Sequence, residues 1–176
     1  MKEIVKPLMQ WYAKHARTLP WRSDPTPYHV WLSEIMLQQT RVEAVIGYYD
    51  RFLEELPDVQ SLAAVSEERL LKLWEGLGYY NRARNLQKAA VQICEQYQGK
   101  FPESYEEWLA LPGIGAYTAG AVTSIAFGKK EAAVDGNVYR IYTRLYADDT
   151  EISKTAFQRN VRETIKAVSY THLTLP

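Results

Sequence analysis

Glu34 lies in the run Val30-Trp31-Leu32-Ser33-Glu34-Ile35-Met36-Leu37, whose other members would make an almost unbroken apolar wall. A carboxyl withdrawn from water keeps its proton to higher pH, because burial penalises the charged form, and so becomes a candidate proton donor. On the outer face of an amphipathic helix the same residue is an ordinary solvated charge. A second acid, Asp135, stands in Ala132-Ala133-Val134-Asp135-Gly136-Asn137, where a helix should begin; there an aspartate caps free N–H groups, and the helix end favours its charged form. Between the two lies Leu111-Pro112-Gly113-Ile114-Gly115-Ala116-Tyr117-Thr118, directly after one predicted helix and before another. Gly113 and Gly115 let the backbone turn tightly and approach a ligand, and the following helix start offers unpaired N–H groups to an anion. That outlines a phosphate clamp with Leu111 and Ile114 as apolar anchors, although a plain helix–helix turn that needs glycine has the same outline. Glu43 is set aside as a surface charge: on a continuous helix it would lie about 900° beyond Glu34, on the opposite face.

The elements that must position these groups are helices. Ile4, Leu8, Trp11 and Tyr12 share one face of a first helix, which stops before the Leu19-Pro20-Trp21-Arg22 turn and the breakers Pro25 and Pro27. Pro27 suits the first turn of the helix that carries Glu34. Further helices are predicted over 41–56, from the cap Ser66 with Leu70, Leu71, Leu73 and Trp74 inward, and then over 81–97 after a break at Gly76 and Gly78. Shorter stretches follow at 105–109, 116–127, 137–146 and 155–168. No convincing alternating strand and no internal repeat precedes the tail, so the fold class is all-α. The tail itself, Ser-Tyr-Thr-His-Leu-Thr-Leu-Pro, alternates threonine with apolar residues, lacks charge, and is not expected to extend the helix before it.

The totals bound the function without choosing it. A chain of 176 residues buries a real core without disulfides or metals. Lys plus Arg equals Asp plus Glu at 21 each, so any basic surface for a nucleic acid must be local. Arg82, Arg84 and Lys88 form such a cluster, a pattern that a solvated helix face shares equally. The single cysteine, Cys94, excludes an intramolecular disulfide and any multi-cysteine metal site within this chain, and it fits a reducing compartment. No apolar stretch has the length of a signal peptide or a membrane span, so a soluble, cytoplasmic protein is expected; a monomer is the expected state.

The blocks Leu19-Pro20-Trp21-Arg22, the run from Pro27 to Val42, the run from Trp74 to Leu86, the glycine hairpin and Val134-Asp135-Gly136-Asn137-Val138-Tyr139-Arg140 stand in an order and spacing that resemble the adenine DNA glycosylase family of base-excision repair. That family lies within the endonuclease III superfamily, also called helix-hairpin-helix-GPD, and the resemblance covers Lys6 to Val168. It implies a six-helix barrel-like domain over residues 26–133 containing the hairpin. A second helical domain, formed by 1–25 and 134–168, would close a catalytic cleft. Cleaving adenine from deoxyribose calls for a proton on the base and relief of positive charge on the sugar. By resemblance Glu34 is the general acid, and being half protonated at pH 7 would cost it ~3.7 kcal/mol relative to an ordinary glutamate. Asp135 is the carboxylate that stays ionised beside the sugar, and Asn137 hydrogen-bonds near it. Tyr117 occupies the position where the bifunctional branch has a Schiff-base lysine, so simple hydrolysis is expected. Arg17, Trp21, Arg22 and Leu37 match positions lining the adenine pocket, and Gln39 and Tyr79 match intercalating positions. Arg82, Arg84, Leu111, Gly113, Ile114, Gly115 and Thr118 are the remaining expected DNA contacts, and the partner is double-stranded DNA with a flipped-out adenine.

Full-length members of the family carry four further cysteines holding a 4Fe–4S cluster, followed by a domain that recognises 8-oxoguanine. Neither is in this sequence, so no cofactor and no metal is expected here. Residues 169–176 resemble nothing in the family, and the expectation is a truncated second domain, weak DNA binding and reduced stability. Two other readings stay open: a bifunctional glycosylase/lyase of the same fold, and a non-catalytic helix-hairpin-helix DNA-binding module for which Glu34 is incidental.

Overall fold

The computed structural model describes the backbone of residues 2–172 and the side chains of residues 4–167. Among the described residues there are eleven helices and no strand: α1 (Lys2–His15), α2 (Pro20–Ser23), α3 (Pro27–Leu37), α4 (Val42–Glu55), α5 (Val59–Ala64), α6 (Glu67–Leu73), α7 (Asn81–Tyr97), α8 (Tyr105–Leu109), α9 (Ala116–Phe127), α10 (Gly136–Tyr146) and α11 (Thr155–His172). None is long and apolar enough to cross a membrane.

α3 is the axis of the molecule, packing against α2, α4, α7 and α9. It can do so because it is apolar nearly all round, with Tyr28, Val30, Trp31, Leu32, Ile35 and Met36 buried. Thr26 caps it by accepting from the His29 N–H at 3.2 Å, and Pro27 occupies its first turn as the sequence suggests. Trp31 and Trp108 meet edge to face with centroids 5.7 Å apart, and Phe52 meets Trp74 in the same way at 5.9 Å. This large core runs from Leu19 and Trp21 to Val122. A second, small cluster joins Tyr142 of α10 to Phe157 and Val161 of α11.

Glycine and cap signals place α7, α8 and α9 on the bounds expected from the sequence. Two expectations need correction, and one helix has no counterpart among those read from the sequence. The face shared by Leu8, Trp11 and Tyr12 on α1 lies open, each of these residues being about half exposed. The segment 59–64 is a helix, started by a reciprocal cap in which Asp58 Oδ1 accepts from the Ser61 N–H at 2.7 Å. Finally, α11 continues past Val168 to His172, since residues 169–172 contain neither glycine nor proline to stop it. The end of the tail, 173–176, lies outside the described residues.

Candidate active site

Glu34 is carried on the last turn of α3, half-buried, and looks into a cavity of about 920 Å³. Burial raises its carboxyl above the ordinary range. The Tyr117 hydroxyl facing it works against that rise, the Asp135 charge adds to it, and Arg22 opposes it again. Tyr117 comes from the first turn of α9 and stays a neutral phenol, because burial and then the Glu34 charge push its own ionisation up. A neutral hydroxyl can donate to a carboxylate or to a substrate oxygen, but it cannot form a Schiff base.

Asp135 lines the same cavity. It is the N-cap of α10: Oδ1 accepts from the N–H groups of Asn137 at 3.0 Å and Val138 at 2.9 Å. Asn137 Nδ2 donates to Asp135 Oδ2 at 2.7 Å, and Asn137 Oδ1 accepts from Arg140. The capping arrangement therefore holds both carboxylate oxygens in place. The chain gets there by a return path alongside α9. Gly128, left-handed at φ 62°, ends α9, and the following residues run back past Gly120. A Cβ on Gly120 would stand 2.3 Å from the Ala132 carbonyl oxygen, so only glycine lets the return pass this close. Glu131 anchors that path to α11, accepting from Lys166 Nζ at 2.7 Å and from Arg162 at 3.1 Å.

Arg17, Trp21, Arg22, Leu37 and Gln39 line the same cavity as Glu34, Tyr117 and Asp135. Tyr12 and Ile125 line it as well; both are exposed, Tyr12 being read in the sequence only as part of a helix face and Ile125 not singled out at all. Asn137 sits behind Asp135, outside the lining. Tyr79 lies elsewhere, 65% exposed and in the left-handed region at φ 48°, and Gln39 shares that conformation at φ 58°.

The expected DNA contacts divide. Gly113 turns the hairpin at φ 75° with Asn85 packed beneath it, and Gly115 is the N-cap of α9 with open space where a Cβ would point. Leu111, Ile114 and Thr118 have buried side chains, and Leu111 and Ile114 anchor the hairpin in the large core as expected of apolar anchors. Arg84 is paired with Glu67 at 2.7 Å. Arg82 is not a phosphate contact: its terminal nitrogens donate to the carbonyls of Ile35, Met36, Gln38, Leu77 and Gly78 at 2.6–3.1 Å. Its one warning in the sequence is a cation in the first turn of a helix, where the dipole disfavours it.

Cys94, half-buried on α7, donates to the Val59 carbonyl across 3.8 Å, and burial pushes its thiol up. Among the described residues no cluster of three or more His, Cys, Asp or Glu could hold a metal. One thiol cannot by itself supply the four ligands of a 4Fe–4S cluster.

Fold and site together define an all-helical protein, among the described residues, built around a glycine hairpin and a following aspartate. The pattern of the HhH-GPD superfamily of base excision DNA repair proteins matches residues 32–167, and the chain belongs to that superfamily. It is 40% identical over 163 residues to an adenine DNA glycosylase of Buchnera aphidicola, covering 92% of this chain and 46% of that protein. It is 45% identical over 157 residues to an adenine DNA glycosylase of Mus musculus, covering 84% of this chain and 30% of that protein. The chain thus spans less than half the length of these curated relatives. Among solved structures, a thermostable thymine-DNA glycosylase superposes with a TM-score of 0.86 at 28% identity, over 95% of this chain and 77% of that one. A non-covalent endonuclease III–DNA complex superposes with a TM-score of 0.76 at 26% identity, over 98% of this chain and 82% of that one.

Proposed function

We propose that this chain carries the catalytic part of a monofunctional adenine DNA glycosylase of base-excision repair, acting on adenine mispaired with 8-oxoguanine or guanine in double-stranded DNA. The observation that carries the reading is the meeting, in one cavity, of a carboxyl raised by burial on α3 and a capped carboxylate at the start of α10, with Tyr117 between their elements.

In this reading a flipped adenine enters the cavity beside Trp21 and Leu37. Protonated Glu34 gives its proton to the base, the C1′–N9 bond breaks with its electron pair going to adenine, and the developing sugar cation faces ionised Asp135. Asn137 and the α10 N–H groups keep Asp135 from turning away. Water then adds to C1′ and loses a proton, leaving an abasic site. Tyr117 offers no amine, so the DNA strand stays intact.

The test is single-turnover adenine release from a duplex with adenine opposite 8-oxoguanine, comparing the parent with Glu34→Gln. Loss of one general acid is expected to slow release by about 10²–10⁴-fold. Equal rates, or no release by the parent, would favour a DNA-binding module instead. Borohydride trapping of a covalent DNA adduct by the parent would favour a lyase.

A further inference from the structure

We infer that Arg82 is a positioning residue for base extrusion: one guanidinium ties together the two loops whose next residues, Gln39 and Tyr79, stand ready to enter the duplex. The inference rests on the glycosylase reading above. Its geometric basis does not. Nη1 donates to the carbonyls of Ile35, Met36 and Gln38 at 2.9, 3.0 and 2.6 Å, which end α3. Nη2 donates to the carbonyls of Leu77 and Gly78 at 2.9 and 3.1 Å, in the glycine turn before α7. In each loop the residue after the last held carbonyl has positive φ: Gln39 at 58° and Tyr79 at 48°. Both are exposed, and neither is a glycine that adopts this conformation without cost.

Five carbonyl oxygens converging on one point repel one another unless a cation lies between them. Arginine suits the task because its planar fork has separate donors for the two loops, whereas a lysine ammonium has three donors at one point. The guanidinium also lies 5.5 Å from the Trp74 ring centroid and 5.7 Å from that of Tyr79, so Tyr79 rests on the same strut. Trp74 Nε1 donates to the Gly78 carbonyl at 3.1 Å, adding a neutral support on that side only. No carboxylate is among the partners of Arg82; its charge is committed to backbone, in the helix turn least favourable to a cation. Because Glu34 is on the last turn of α3, the strut also joins the wedge loops to the element bearing the acid.

Two variants test this, Arg82→Lys and Arg82→Ala, the second with and without added guanidinium ion. Amide exchange without DNA is expected to accelerate at both Gln39 and Tyr79, on the order of tenfold or more, the equivalent of one or two lost charge-assisted hydrogen bonds. With DNA, the fluorescence rise of a 2-aminopurine target on binding should shrink in both variants. Adenine release from an intact duplex should fall by a similar factor. Release from a target opposite a gap, already unstacked, should fall much less, and the alkaline limb of the pH profile should stay in place. Guanidinium should restore part of the duplex rate to Arg82→Ala. A merely structural role would slow both substrates equally; that result, or unchanged exchange at either loop, overturns the proposal. Should the parent release no adenine, the glycosylase reading falls, while exchange and 2-aminopurine fluorescence still decide the role of Arg82.

Discussion

Gly120→Ala tests the path that brings Asp135 to the site. An added Cβ would stand 2.3 Å from the Ala132 oxygen, 2.8 Å from the Ala132 carbonyl carbon and 3.2 Å from the Ala133 nitrogen. All three are backbone atoms, so no side chain can swing aside. Ordinary contact between such atoms is near 3.5 Å, and the segment must retreat from α9 by about 1 Å. Overpacking of this kind costs roughly 1–3 kcal/mol, measurable by urea unfolding. Asp135 is three residues beyond Ala132 and moves with it, and a misplacement of about 1 Å at a reacting centre lowers rates by about 10²-fold. Single-turnover adenine release per folded molecule reads that loss. A second readout separates displacement from simple destabilisation. The Asp135 charge helps to raise the Glu34 carboxyl, so retreat of Asp135 should shift the alkaline limb of the rate profile to lower pH. A variant with the parent's rate per folded molecule and an unmoved alkaline limb would refute the reasoning, whatever its stability.

Tyr117→Phe removes the hydroxyl that favours ionised Glu34, so the alkaline limb should shift to higher pH while the acid proton remains available. The same raised carboxyl affects stability: the folded chain holds this proton more tightly than the unfolded chain, a contribution present at low pH and lost as pH rises through the raised value. Glu34→Gln should therefore be more stable than the parent at pH 8 by thermal unfolding, the gap closing toward pH 4. Gly113→Ala meets Asn85 Cβ at 2.7 Å with φ at 75° and should lose ~1–3 kcal/mol of stability. Gly115→Ala meets nothing within 4 Å and should keep its stability within ~0.5 kcal/mol, yet weaken DNA binding by fluorescence anisotropy, because its methyl group stands where backbone would approach phosphate. Glu131→Ala strips Arg162 and Lys166 of a shared carboxylate and should cost ~1–3 kcal/mol while slowing adenine release through the loosened return path.

Glu34 was legible because its type conflicts with its neighbours, and such a conflict is local. Asp135 was legible for a related reason: capping is written in residues 135–138, and the structure uses those same residues. The ends of α7, α8 and α9 are marked by glycines, a proline and a serine cap that act on the nearest turn. What stayed hidden was written in backbone. Arg82 looked like a phosphate contact, since five carbonyl acceptors belonging to Ile35, Met36, Gln38, Leu77 and Gly78 leave no side-chain signature. Gly120 has no signal in the sequence, because its neighbour is the oxygen of Ala132, an atom every residue carries. Leu111 and Ile114 are buried as the apolar anchors their types suggest, whereas the burial of Thr118 has no such signal, since a threonine suits either face of a helix start.

The division has a physical cause that bears on how the site works. A proton donor must differ from its surroundings in chemical type, so a sequence cannot conceal it. Holding that donor against a second acid across a cavity depends instead on how closely main chains approach, and main chains are alike at every position. In this chain both approaches are permitted by the least conspicuous choices: a missing Cβ at position 120, and a cation at position 82 whose nearest partners are peptide oxygens. In the reaction proposed above the acids define the chemistry, and these two positions define whether the acids and the extruded base meet. Substitutions there should therefore spare the groups that carry out the chemistry and still reduce the rate, with the pH profile separating the two cases: moved for position 120, unmoved for position 82.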